Sequence, residues 1–130
     1  MGFLIVFLGA GIGGAMRHGV NLAAYRLLGG GSFPYGTLAI NIAGSFAMGL
    51  TVEYFAFRSG LPQHLRLFLA TGILGGFTTF SAYSLEVALL YERGQVVEAA
   101  AYAIGSVVLA VGALFLALAL VRMGVNGSGA

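Results

Sequence analysis

Residues 75–84 of the chain read GGFTTFSAYS, and no other segment says as much about its architecture. Glycines, hydroxyl side chains and aromatic rings here interrupt a hydrophobic segment that is otherwise long enough to cross a lipid bilayer. Backbone N–H and C=O groups that lose their helical partners in lipid cost several kcal/mol each. A break at membrane depth must therefore be buried in protein or line a wet cavity, and such cavities are where solutes bind or pass.

The composition around this stretch is that of a membrane protein. Of the 130 residues, 59% are hydrophobic and 8% are charged, and the mean hydropathy is +0.98. Such a chain has too little polar surface to cover a soluble globule. It has no cysteine, which excludes disulfides and thiolate metal sites. All six basic residues are arginines, scattered singly, so the sequence predicts membrane lipid and no nucleic acid as a partner.

Four stretches reach the roughly 20 apolar residues that a helix needs to cross the hydrocarbon core. The predicted spans are 3–28, 36–57, 65–91 and 96–122. The sequence therefore predicts an all-α membrane protein with four transmembrane helices, the third of them broken, in one domain over residues 1–123. Residues 124–130 are small and polar and are predicted to be a disordered tail. The first span lacks the basic leader and clear cleavage site of a signal peptide, so an uncleaved helix is expected.

The arginines also bear on orientation, because cytoplasmic loops near helix ends collect positive charge. With four spans, one side of the membrane holds Arg58, Arg66 and Arg122, and the other side holds Arg26 and Arg93. Three against two is almost no bias. Copies that insert both ways up could pair as an antiparallel homodimer, and the alternative is a single, weakly biased topology.

Small residues one helical turn apart indicate where helices approach closely, because lipid offers no hydrophobic drive for association. The pairs are Gly9 and Gly13, Ala10 and Gly14, Ser45 and Gly49, and Gly72 and Gly76. Their expected role is helix packing.

Three costly polar side chains lie within the predicted spans, and each has more than one interpretation. Arg17 either marks the end of the first helix, lines a vestibule that attracts anions, or serves as an interface anchor or partner of Glu86. The amide of Asn41 suits either a desolvated anion or an interhelical hydrogen bond. Glu86 fits a proton relay, an ion pair or a gating polar network.

Hydroxyls and aromatic rings recur at helical spacing in the third and fourth spans. Tyr102 and Ser106 are four residues apart and share one helix face. Phe77, Phe80 and Tyr83 are spaced by three, which is usual for packing. The positive edge of a ring can nevertheless replace part of the hydration of a small anion without presenting a full charge that would trap it.

Three ordered motifs together carry a family resemblance. They are residues 13–17 (GGAMR), 36–46 (GTLAINIAGSF) and 72–81 (GILGGFTTFS). With four spans in a chain of this length, this pattern resembles the CrcB/Fluc family of small fluoride channels over essentially the whole chain. The resemblance implies a fluoride-selective channel that passively exports fluoride across the cell's inner membrane. It also implies an antiparallel dual-topology homodimer with two pores, each built from both subunits.

The resemblance further assigns roles to individual residues. The residues that it places along the fluoride pathway are Arg17, Asn41, Thr79, Phe80, Ser81, Tyr83, Glu86, Tyr102 and Ser106. It also implies a sodium ion at the dimer centre, bound by the backbone carbonyls of Gly75 and Thr78 from each subunit. Four hard oxygens suit a hard cation, and a helix break exposes carbonyls.

The chain departs from the usual family pattern at three positions. Tyr83 stands where a second phenylalanine is usual, Ala82 where a threonine is frequent, and Ala110 where a third hydroxyl is often found. Tyr83 could keep the ring-edge contact and add a hydroxyl to the pathway. Fluoride selectivity is expected to survive these changes.

Two other classes of membrane protein remain alternatives. A small multidrug-type antiporter also has four spans, but it resembles a chain with a functional glutamate in the first helix, and the first span here has none. A non-conducting assembly partner would explain the small-residue pairs but not the polar, aromatic break. An enzyme is not expected, because no nucleophile with an orienting base and no metal-ligand cluster is visible.

Overall fold

The chain folds as a bundle of long helices joined by short connections. A computed structural model describes residues 1–58 and 60–128, with side chains described through Val125. The first two helices are α1 (Gly2–Leu28) and α2 (Tyr35–Phe57). The last helix, α6, covers Val96–Ser128. In the described residues, four helical spans are long and apolar enough to cross a membrane, as the sequence predicts.

The third span, Gln63–Glu92, is assembled from four segments. They are α3 (Gln63–Arg66), a π-helical segment (Leu67–Leu74), α4 (Gly75–Phe77) and α5 (Ser81–Glu92). The helix stops at Thr78, whose backbone is extended with φ −81° and ψ 160°. The predicted break is therefore present and lies between α4 and α5.

The π-helical segment is a feature that the sequence analysis did not predict. At its end, the Gly75 N–H donates to the Ala70 carbonyl, five residues earlier, as well as to the Gly72 carbonyl. Insertions of this kind occur mostly as single turns and often at functional sites. The apolar residues of its sequence, LFLATGIL, are spaced as they would be in an ordinary α-helix. The hydrophobic pattern therefore does not distinguish a π-helix from an α-helix here.

Glycines bring α1 directly onto the third span. A Cβ at Gly9 would lie 2.9 Å from the Cα of Gly72, and a Cβ at Gly13 would overlap the carbonyl oxygen of Ile73. A Cβ at Gly76 would overlap the carbonyl oxygen of Ala10. These contacts are backbone against backbone, so the predicted packing role of the small residues is confirmed at these positions.

The predicted pairs Ala10 with Gly14 and Ser45 with Gly49 differ in whether their second glycine packs against another helix. A Cβ at Gly14 would have no heavy atom within 4 Å, so Gly14 makes no close approach within the chain. Gly49 does pack, because its Cβ would lie 2.7 Å from the Leu114 carbonyl oxygen and 2.8 Å from the Ala117 Cβ on α6. The pair of α2 and α6 is closed at one end by an ion pair of 2.8 Å between Arg122 Nε and Glu53 Oε1.

The fourth span is longer than the sequence analysis predicted. It begins at Val96 as expected, but α6 continues through Ser128 rather than ending at 122. Residues 124–128 of the predicted disordered tail, 124–130, are thus helical, and residues 129–130 lie outside the described residues. The third span begins at Gln63 and ends at Glu92, close to the predicted 65–91.

Candidate functional site

A groove of about 420 Å³ opens beside the helix break. Its walls come from α2, from α4 and α5 with the break between them, and from α6. The lining residues are Asn41, Ser45, Gly75, Thr78, Thr79, Phe80, Tyr83, Ser106, Val107, Ala110 and Val111. None of them carries a formal charge. The groove thus gathers seven residues that the resemblance assigns to the fluoride pathway or the sodium site.

Asn41, on the neighbouring helix α2, forms two hydrogen bonds with the backbone at the break. Its Nδ2 donates to the Thr79 carbonyl oxygen at 3.0 Å, and the Thr79 N–H donates to Asn41 Oδ1 at 3.0 Å. The amide therefore satisfies both polar groups of a residue that has left the helix. Of the two interpretations of Asn41, the interhelical hydrogen bond is present, and Nδ2 uses one of its two protons for it.

The threonines of the break satisfy further backbone groups. Thr78 Oγ1 donates to the Leu74 carbonyl oxygen at 3.0 Å, and the Ala82 N–H donates to Thr79 Oγ1 at 3.2 Å. Thr79 thus caps the start of α5 in the manner of a helix N-cap. A segment that would be costly in lipid is stabilised by its own hydroxyls and by Asn41.

The two groove rings differ in how they are anchored. Phe80 is 75% exposed, whereas Tyr83 is half-buried. The ring centroids lie 5.5 Å apart, and the Tyr83 centroid lies 5.3 Å from that of Tyr102. The Tyr83 hydroxyl donates to the Ala103 carbonyl oxygen of α6 at 2.7 Å. That hydroxyl therefore binds the protein backbone, and Tyr83 offers its ring to the groove.

The hydroxyl line predicted on α6 divides between two environments. Ser106 is 5% exposed and lines the groove, and its Oγ is buried with no hydrogen-bond partner in the described residues. Tyr102 is 1% exposed and donates to Glu86 Oε1 at 3.2 Å. Thr37 donates to Glu86 Oε2 at 3.1 Å. Glu86 is therefore held in a polar network with Thr37 and Tyr102, and it forms no ion pair within the described residues.

Thr37 is a site residue that the sequence analysis missed. It is buried, and with Glu86 it lines a second cavity of about 140 Å³ near the loop between α1 and α2. A signal was available, because Thr37 precedes Asn41 by one turn of α2 and so shares its helix face.

Three predicted pathway residues, Arg17, Ser81 and Tyr102, line neither of these cavities. Arg17 contributes to neither lining, and its Nε is buried without a partner in the described residues. Within the described residues, the ion pair that forms joins Arg122 to Glu53, so the predicted alternative of an Arg17 pair with Glu86 is not formed in this part of the chain. Ser81 is exposed at the first turn of α5 and also lies outside the groove lining.

The described part of the chain holds no group of three or more His, Asp or Glu side chains that could bind a metal ion. Gly75 and Thr78 both line the groove next to the break, and a Cβ at Gly75 would have the Ala70 carbonyl oxygen at 3.7 Å as its nearest neighbour.

Comparisons with known proteins place the chain in a family. Residues 4–118 match the family model described as CrcB-like protein, Camphor Resistance (CrcB). A protein of Granulibacter bethesdensis named fluoride-specific ion channel FluC is 65% identical over 98% of this chain and 99% of its own length. A protein of the same name from Methylobacterium nodulans is 62% identical over 92% of this chain and 94% of its own length. Another, from Rhodopseudomonas palustris, is 58% identical over 94% of this chain and 98% of its own length. The chain therefore belongs to the CrcB family.

Proposed function

We propose that this chain is a fluoride-selective ion channel that lets fluoride leave the cell passively across the inner membrane. The curated relatives carry the name of a fluoride-specific ion channel. The four apolar spans and these relatives make the chain a multi-pass membrane protein. The prediction that it is not an enzyme is confirmed by its family.

The observation that carries the proposal is the chemistry of the groove. Asn41 has a spare amide N–H, Ser106 has an unpartnered buried hydroxyl, and Phe80 and Tyr83 offer ring edges. All of these groups are neutral. They can replace part of the hydration of fluoride, and they hold it weakly enough for release, which conduction requires.

The open side of the groove supports a second copy of the chain as its cover. Phe80 is largely exposed, and Val107 and Val111 of α6, which line the groove with it, are exposed too. A pore open along its length to lipid would not conduct an anion. We propose an antiparallel homodimer in which each copy closes the groove of the other, giving two pores.

The residues at the break fit the structural sodium ion that the family resemblance implies. Gly75 and Thr78 stand on the open groove, and the helix ends between them and α5, where carbonyls lose their helical partners. We propose that their backbone carbonyls, two from each subunit, would bind the ion at the dimer centre. Backbone oxygens are hard ligands that suit sodium, and the ion would supply positive charge where two helix ends meet.

Ion efflux from liposomes that contain the purified protein tests the function. With fluoride inside and a fluoride electrode outside, we expect rapid fluoride loss once a potassium ionophore balances the charge. The same vesicles loaded with chloride should lose almost none. Folded dimer in sodium buffer that releases no fluoride, or that releases chloride as readily, would reject the proposal.

Tyr83→Phe is expected to keep the channel working, because the Tyr83 hydroxyl bonds the Ala103 carbonyl and the ring alone faces the groove. The lost neutral hydrogen bond should cost about 1 kcal/mol of stability. Fluoride efflux should fall by no more than about fivefold, the rate factor for that energy, with chloride still excluded. Efflux and thermal unfolding of the purified variant check this, with exposed Tyr91→Phe as the control. Chloride passage through Tyr83→Phe would show that the hydroxyl itself selects the anion.

A further inference from the structure

Two backbone N–H groups at the helix break donate to side chains instead of to helix carbonyls. In an uninterrupted α-helix, the N–H of residue 79 would donate to the carbonyl of residue 75, and that of residue 82 to the carbonyl of residue 78. Here the Thr79 N–H donates to Asn41 Oδ1 at 3.0 Å. The Ala82 N–H donates to Thr79 Oγ1 at 3.2 Å.

The carbonyls that lose these donors are those of Gly75 and Thr78. Among the backbone hydrogen bonds of the described residues outside the regular helices, none ends on either oxygen. The Leu74 carbonyl, one residue before Gly75, differs, because it accepts from both the N–H and the hydroxyl of Thr78. The carbonyls of Gly75 and Thr78 are thus among those that the end of α4 leaves without a backbone donor.

We propose that Asn41 and Thr79 are positioning residues for the sodium site. Each side chain takes an N–H that would otherwise occupy a carbonyl oxygen, and so keeps that oxygen available to a cation. Asn41 acts in this way for Gly75, and the Thr79 hydroxyl acts for Thr78. This inference rests on the sodium ion of the proposed function, and it adds that one side chain, Asn41, serves both the anion groove and the cation site.

Asn41 also donates to the Thr79 carbonyl, so it fixes the peptide units on both sides of Thr79: the one shared with Thr78 through the N–H, and the one shared with Phe80 through the carbonyl. A hydrogen bond in this low-dielectric setting holds its geometry more firmly than one in water. The free carbonyls are thus held in place before any ion arrives, and pre-organised oxygens bind without the cost of ordering them.

The test measures sodium binding directly. Purified dimer in sodium-free N-methylglucamine buffer is titrated with sodium chloride by calorimetry, with potassium chloride as the control for ionic strength. Thr79→Val keeps the size of the side chain but removes the acceptor, so the Ala82 N–H returns to the Thr78 carbonyl. One neutral hydrogen bond corresponds to about a fivefold change in an equilibrium constant, and a dimer holds two copies. We expect the Kd for sodium to rise by at least about tenfold.

Two further variants separate positioning from general damage. Thr79→Ser keeps the hydroxyl and should restore the Kd to within about threefold of the parent. Thr51→Val removes a hydroxyl that bonds its own helix at the Ala47 carbonyl, 2.8 Å away and outside the break, and should leave the Kd unchanged. An unchanged Kd in Thr79→Val, a Kd in Thr79→Ser as weak as in Thr79→Val, or an equal loss in Thr51→Val would each overturn the inference.

A second measurement covers the case in which Thr79→Val does not fold. In the parent, the carbonyl ¹³C resonances of Gly75 and Thr78 should move on addition of sodium, while that of Leu74 should not. Resonances that stay in place, or a parent that binds no sodium, would overturn the inference. Neither readout uses fluoride, so failure of the fluoride efflux assay and failure of this inference are distinguishable.

Discussion

Asn41→Asp is expected to lower fluoride efflux by about a thousandfold. The substitution places a second acceptor against the Thr79 carbonyl oxygen, where Nδ2 now donates at 3.0 Å. It also puts a negative charge in a groove whose lining is otherwise uncharged. The new carboxylate and a fluoride ion about 4 Å from it would repel each other by about 4 kcal/mol at the effective dielectric constant of a partly buried site. That energy corresponds to about three powers of ten in rate.

Efflux from liposomes with matched amounts of dimer measures this loss. Gln63→Glu is the control, because it makes the same change from amide to carboxylate at an exposed position at the start of α3. Its efflux should stay within about twofold of the parent. Fluoride efflux from Asn41→Asp at the rate of the parent would mean that the groove at the break is not the route of the ion.

Gly13→Ala is expected to destabilise the fold more than other conservative changes in α1. The added Cβ would overlap the Ile73 carbonyl oxygen and lie 2.8 Å from the Phe77 nitrogen. Both neighbours are backbone atoms of the third span, so no side-chain rotation relieves the contact. Overpacking of this kind costs about 1–3 kcal/mol, and here it also pushes α1 away from α4 at the break. Thermal unfolding of the purified protein should therefore occur at a lower temperature, with a smaller yield of folded dimer.

Gly11→Ala supplies the matched control for this prediction. Gly11 lies two residues earlier on α1, and a Cβ there would meet no heavy atom within 4 Å. Alanine favours the helix over glycine by up to about 1 kcal/mol, so Gly11→Ala should be neutral or slightly stabilising. Equal destabilisation by both variants would show that the contact of Gly13 with the third span is not what makes it sensitive.

Much of the candidate site could be predicted from local sequence, because its residues lie where a membrane helix cannot tolerate them without a reason. Glycines, threonines and aromatic rings at 75–84 predict a break, and the structure breaks the helix within that stretch. The positions of Arg17 and Ser81 could not be predicted in the same way. A polar residue in a span is expected to face either a hydrogen-bonding partner or a cavity. Which of the two it faces depends on how its helix is rotated against its neighbours.

Contacts between segments that are distant in the sequence could not be predicted from local sequence patterns. The Tyr83 hydroxyl seemed available to the groove, yet it bonds the Ala103 carbonyl, because α5 and α6 pack at that level. The Asn41 amide could have bonded an anion or a helix, and only the position of Thr79 opposite it shows that one amide proton is used by the backbone.

The class of the protein, the number of spans and the place of the break could be read from the residues alone. These depend on hydropathy and on the cost of unpaired backbone groups, which act over a few helical turns. The packing of the helices was needed to show that Asn41 of α2 hydrogen-bonds the backbone at the break, and to show which hydroxyls face the groove. Those outcomes depend on the register of one helix against another, which the close contacts of Gly9 and Gly13 with the third span fix and which no single helix encodes.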